Sequence, residues 1–196
     1  MIGGSVLILD TKYLILITML KILFVLLLSG FVLSGFGQSV DSLTIKNIDG
    51  ANVSLLSYMG SKTLFLIAPS RPADSAELKE LAAFNVRYGD TIKIVGILSF
   101  EDGYVDSNKM AIKAMYQHKG INLLLTEGMY TKKSAANQSA LMKFLTWQSL
   151  NKRVDDDAMG RGHKFFVNEN GKLYATLIPQ ASLFSAAVKR IVERKL

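Results

Sequence analysis

The 196-residue chain has no cysteine, three prolines, two histidines and one tryptophan. Without cysteine, no disulfide can brace the fold and no thiol can do redox chemistry or ligate a soft metal. Fifteen glycines and three prolines are too few for a collagen-like or low-complexity chain, and 49% hydrophobic residues against 20% charged ones exclude disorder. The length suits one domain with a short appendage, and such a domain can bury enough apolar surface to stand unbraced.

The formal charge is +7, yet the mean hydropathy of +0.26 is high for a soluble protein. The excess apolarity sits at the N-terminus. Met19-Leu20-Lys21 precedes the apolar run Ile22 to Leu33, and Gly35 and Gly37 place small residues ahead of Gln38. That is the three-part pattern of a secretory signal, with a run shorter than the ~20 residues a membrane span needs. Residues 1–37 are therefore expected to be a signal peptide cleaved after Gly37, with Met19 as the effective start. Residues 38–196 are then an exported, periplasmic or secreted domain. The alternative is an uncleaved anchor that also uses Val6 to Leu9 and Tyr13 to Ile17, leaving the domain tethered to a membrane.

Downstream, strand and helix patterns alternate. Leu43 to Ile48, the Asp49-Gly50 turn and Val53 to Leu56 read as a leading hairpin. Thr63 to Ala68 and Ile92 to Leu98 are continuous apolar runs, the pattern of strands buried on both faces. Between them Asp74 is an N-cap with Glu77 three residues on, and Leu78, Leu81, Ala82 and Tyr88 form a helical stripe ending at Gly89. A helix over 106–118, a strand over Ile121 to Leu125 and a helix over Ser139 to Leu150 follow. Lys164 to Val167, the turn at 168–171 and Lys172 to Ile178 form a hairpin, and a closing helix starts near Ser182. The order implies an α/β fold with helices on both faces of one sheet.

Three stretches together resemble the glutathione peroxidase family of the thioredoxin-like fold. They are Ile48-Asp49-Gly50 with Val53-Ser54-Leu55, Tyr58, Gly60 and Lys62; Ser70-Arg71-Pro72-Ala73 running into Leu78-Lys79-Glu80-Leu81; and Lys164 to Lys172 with Ile178-Pro179 beyond. The resemblance covers residues 43–192 and implies a central mixed sheet with an N-terminal β-hairpin. It also implies a role in peroxide reduction and the oxidative-stress response. The family's peroxidatic cysteine or selenocysteine falls on Pro72, its glutamine on Glu101, and its Trp-Asn pair on Gly160 and Arg161. Peroxide reduction needs a thiolate or selenolate to attack the O–O bond. Proline has no nucleophile, and none of the four positions keeps its family residue.

Arg71, Glu101 and Arg161 are expected to form a fixed polar patch across the former peroxide site, against the alternative of three separately solvated side chains on a mobile loop from Val154 to Gly162. Ser70 and Ser99 are the small hydroxyls near that site. An enzyme using one of them, with Glu101 as a base of raised pKa and Arg161 as oxyanion partner, is the competing hypothesis. His118 and His163 lie too far apart in sequence to suggest a metal site, and His163 reads as a strand-edge residue. Asp155-Asp156-Asp157 lacks the alternating ligands of a calcium loop. Gly60-Ser61-Lys62-Thr63 precedes a strand, where a phosphate loop would follow one. Trp147 reads as core. No cofactor and no nucleic acid are expected, and the partner, protein or small molecule, is left open.

Overall fold

In the computed structural model, Met19, Lys21, residues 38–71 and residues 75–194 are described. Apart from those two residues, the segment 1–37 read as a signal peptide lies outside them, as do Pro72 and the expected N-cap Asp74.

A two-stranded hairpin, β1 (Thr44–Lys46) and β2 (Asn52–Ser54), leads into a five-stranded mixed sheet. Its strands are β3 (Lys62–Ile67), β4 (Ile92–Ser99), β5 (Leu124–Met129), β6 (Lys164–Val167) and β7 (Leu173–Leu177), in the order β5-β4-β3-β6-β7. β3, β4 and β5 run parallel, while β6 and β7 run antiparallel to their neighbours. The helices are α1 (Ser75–Tyr88), α2 (Lys109–His118), α3 (Ala140–Thr146), α4 (Gln148–Asn151) and α5 (Ala186–Glu193).

Every residue of β3 is buried, which is why its run reads as continuously apolar. Side chains alternate across a strand. Leu64 and Leu66 enter one core with Leu78, Leu81 and Phe84 of α1, Ile112 and Tyr116 of α2, and Val188 and Val192 of α5. Phe65 and Ile67 enter the other with Leu141, Phe144 and Leu145 of α3 and with Val40, Leu43 and Leu55 ahead of the sheet. The expected architecture of helices on both faces and a leading hairpin is the one observed.

Four element boundaries differ from the sequence pattern, one being the closing helix, which starts at Ala186 rather than near Ser182, with the Ser185 hydroxyl accepting Val188 N–H. The helix read over 106–118 begins as a 3₁₀ turn at Asp106–Asn108 and becomes α-helical at Lys109. The helix read over 139–150 starts as expected, with the Ser139 hydroxyl accepting from Met142 N–H, but breaks at Trp147, whose backbone is extended. Two side-chain bonds act at the break: Thr146 Oγ1 donates back to Met142 O at 2.7 Å, and Trp147 Nε1 donates to Gln138 Oε1 at 2.8 Å. Trp147 is consequently 40% exposed rather than core. The strand read over 121–125 runs instead over Leu124–Met129 and contains Gly128.

That glycine positions the loop after β4. A Cβ at Gly128 would lie 2.4 and 2.5 Å from ring carbons of Tyr104 and 2.5 Å from one of Phe100, and Tyr104 is buried. The two rings meet each other at 5.8 Å, and Phe100 also meets Tyr130 at 5.1 Å. Gly128→Ala is expected to destabilise the domain by about 1–3 kcal/mol through this overpacking. Urea unfolding would show it as a lower midpoint at unchanged slope, and an unshifted midpoint would contradict the packing argument.

Candidate functional site

The C-terminal ends of β3 and β4 and the start of β6 lie at one end of the sheet. Ala68 N–H donates to Ile97 O, Ile67 N–H to His163 O, and Gly162 N–H to Ile67 O, at 2.8–3.0 Å. The loops that leave these ends carry the residues singled out from sequence. Arg71 follows β3, Glu101 follows β4, and Gly160 and Arg161 precede β6.

Asp102, which the sequence reading passed over, joins them. Its Oδ1 accepts Arg161 N–H at 3.0 Å, and its carbonyl accepts the Ser70 hydroxyl at 3.4 Å. Its own N–H donates to Ser99 Oγ at 3.2 Å. Gly160 makes the approach possible: φ is +87°, and a Cβ there would stand 2.7 Å from Asp102 Oδ1. The side chain of Arg161 turns to the first turn of α1, where Nε donates to Glu77 Oε1 at 3.1 Å. Arg71 borders the Gly103 turn, its Cδ 4.0 Å from where a Gly103 Cβ would be. The Asp-Gly pair at 102–103 is the sequence signal that could have drawn attention to this turn.

Glu101 is held elsewhere. Oε1 accepts the N–H groups of Thr131 and Lys132 at 2.9 and 3.1 Å, and Oε2 accepts the Ser99 hydroxyl at 3.0 Å. Burial pushes its pKa up, but the backbone N–H groups of Lys132 and Thr131 and the Ser99 hydroxyl outweigh that and hold it below the ordinary carboxylate range. The expected patch is thus divided: Glu101 is anchored by the segment after β5, while Arg161 is paired with Glu77. A depressed pKa also makes Glu101 a poor general base, the reverse of what the serine-enzyme hypothesis requires. Ser99 is buried, with its proton committed to Glu101.

The loop from Val154 to Gly162 is pinned at several points. Asn151 Oδ1 accepts Arg153 and Val154 N–H, Lys133 Nζ meets Asp155 at 2.7 Å, and Asp157 Oδ1 accepts Lys133 N–H at 2.8 Å. His163 closes it. The ring is buried beside Phe165, centroids 4.3 Å apart, and Nδ1 accepts Met159 N–H at 3.1 Å. It is a buried anchor for the loop at the very start of β6. Burial lowers its pKa to about 4, with Asp156 and Asp157 opposing and Lys164 reinforcing. Among the described residues, no group of three or more His, Asp or Glu side chains could hold a metal.

Gly160→Ala must adopt a left-handed conformation and displace the Asp102 carboxylate, so it should cost about 2–3 kcal/mol. Adding Asp102→Ala should recover part of that loss in a double-mutant cycle, whereas strict additivity would show that the two residues do not share the site. His163 stays neutral where the unfolded chain's imidazole protonates. Its stabilising contribution is therefore full above the unfolded value near pH 6.5. As pH falls from there to about 4 it is lost, by about 2–3 kcal/mol in all. His163→Asn keeps an acceptor for Met159 N–H without the titration, so its stability should be flatter between about pH 7 and 5; an unchanged slope would assign the acid sensitivity to other groups.

No protein-family model matches the sequence, and no curated protein is significantly similar to it. Solved structures are similar over most of the chain. Trgpx in its apo form superposes with a TM-score of 0.59 at 15% identity, covering 80% of this chain and 95% of that one. A thiol:disulfide interchange protein of the thioredoxin family from Chlorobium tepidum gives 0.55 at 16%, over 82% and 97%. GPX1 of T. cruzi gives 0.54 at 12%, over 79% and 97%. At such identities the likeness establishes architecture: the chain has the thioredoxin-like fold, in the form shared by glutathione-peroxidase-like and thioredoxin-family proteins.

Proposed function

We propose that this is an exported thioredoxin-fold protein, derived from a peroxidase-like ancestor, in which the fold serves binding or scaffolding rather than peroxide reduction. The observation that carries the reading is the complete absence of cysteine from a chain with this fold. Thiol peroxidases and disulfide exchangers work through a thiolate that attacks an O–O or S–S bond. No other side chain here supplies an equivalent soft nucleophile. The hydroxyls nearest the loop ends, Ser70 and Ser99, are buried and hydrogen-bonded, and the carboxylate beside Ser99 is a weakened base.

Export rests on the segment 19–38, which meets the whole signal pattern by itself. A cysteine-free domain is insensitive to the redox poise of the compartment it enters. Among the described residues, no helix is long and apolar enough to cross a membrane. An uncleaved anchor within residues 1–37 is the second reading.

Two measurements test these proposals. Hydrogen peroxide consumption with glutathione or thioredoxin as reductant is expected to match a protein-free blank, and turnover abolished by one side-chain substitution would overturn the non-catalytic reading. Intact mass of the protein recovered from the exporting cell is expected to place the N-terminus at Gln38. A mass retaining residues 5–36 would favour the tethered form instead.

A further inference from the structure

We propose that the open edge of the sheet at β7 is a docking groove for an extended, acidic segment of a partner protein. The two edges of the sheet are treated differently. At β5 the chain covers its own edge: Asn47 bridges Thr126, and Ile48 N–H donates to Leu125 O at 2.8 Å. At the other edge, no described residue outside β6 hydrogen-bonds the backbone of Ala175–Leu177. Such an edge is a template for an added strand.

Charge on the strand itself is one device that protects an edge against pairing. β7 reads Leu-Tyr-Ala-Thr-Leu and has none. The charge stands around it instead. Between β7 and α5 runs a groove of about 510 Å³ with an apolar floor that includes Tyr174, Ala175 and Ile191. Arg190 on α5, Arg194 at its C-cap and Arg153 from the loop after α4 line it, and no Lys, Asp or Glu does. Glu169 is the carboxylate whose charge reaches Tyr174. The chain has 17 lysines and six arginines, so finding three arginines and no lysine in one groove is a marked selection. Guanidinium forks engage carboxylates in bidentate pairs, which an ammonium cannot do.

The groove is also fixed in shape. The Tyr174 hydroxyl donates to Ile191 O at 3.0 Å. Lys62 Nζ, buried at the start of β3, donates to the carbonyls of Ile191, Val192 and Arg194. The end of α5 is therefore tied to side chains of both β3 and β7.

These features select the occupant. A second copy of this chain would bring its own three arginines against these. A bilayer is too flat to enter a concave strand edge. An extended segment with acidic residues at alternate positions directs carboxylates toward the guanidiniums and its backbone toward β7.

Fluorescence anisotropy of the purified protein with a labelled peptide of alternating Val and Glu tests the proposal. The comparison arms are the Val-Lys peptide, a Val-Glu peptide N-methylated at alternate amides, and phosphatidylglycerol vesicles. Val-Glu should bind with an affinity that falls with salt, and Val-Lys should not. N-methylation, the double variant Arg190→Glu with Arg194→Glu, and separately Arg153→Glu should each weaken binding by roughly tenfold. Circular dichroism verifies that the variants are folded, and the two variants alter different segments of the chain. Equal binding of Val-Glu and Val-Lys, or of variant and parent protein, overturns the proposal. Undiminished binding of the N-methylated peptide overturns strand addition. Vesicle binding that the double variant abolishes, without Val-Glu binding, gives the groove to lipid and overturns it too.

Discussion

The structure depends on a strand with no face to give to water. β3 is buried along all six residues, with Leu64 and Leu66 in one core and Phe65 and Ile67 in the other. Burying four such side chains contributes on the order of 6–12 kcal/mol before entropy is counted. The same strand pairs with β4 on one side and β6 on the other. The segments that leave these three strands at one end of the sheet are therefore brought together whatever chemistry they carry. That separation of scaffold from site is how a fold can outlive its reaction.

The polar groups at that end show how a site can change without weakening the fold. Asp102 and Glu101 are adjacent in sequence yet serve different neighbours. One accepts the Arg161 backbone across the sheet end, while the other accepts the backbone after β5. Backbone N–H groups and buried hydroxyls hold a carboxylate in its charged form without needing an arginine partner. Both thereby serve as structural acceptors, and for Glu101 the bonds from the backbone after β5 and from Ser99 hold its pKa down, which weakens it as a base.

The sheet was legible in the sequence because burial on both faces leaves a simple mark, an unbroken apolar run bounded by turns, as at 63–68 and 92–98. The terminal hairpin was legible because the Asn-Gly turn is local. β5 was misplaced because Thr126, Glu127 and Gly128 do not look like a strand. Gly128 is there for the rings of Phe100 and Tyr104, nearly thirty residues earlier. The break at Trp147 depends on Gln138, just ahead of the same helix's N-cap, a side-chain bond nine residues apart that the helical period does not register. The site failed for the same reason. Residue types pointed to Arg71, Glu101 and Arg161, but pairing is decided by which backbone amides face each carboxylate. For Glu101 those amides belong to residues 131 and 132.

The same reasoning applies to the two edges of the sheet, which the chain treats differently. A protein selected only to stay folded and separate gains by closing both edges, and this chain spends its leading hairpin on one of them. Leaving β7 open carries an aggregation cost that the three arginines relieve by like-charge repulsion between copies. The same arginines make the edge attractive to carboxylates. Repulsion of self and attraction of an acidic strand come from one charge arrangement, so solubility and recognition are not competing explanations for it. What distinguishes recognition is geometry: the charges line a groove whose helix is pinned by Tyr174 and Lys62, and a device for solubility alone would need no pinning.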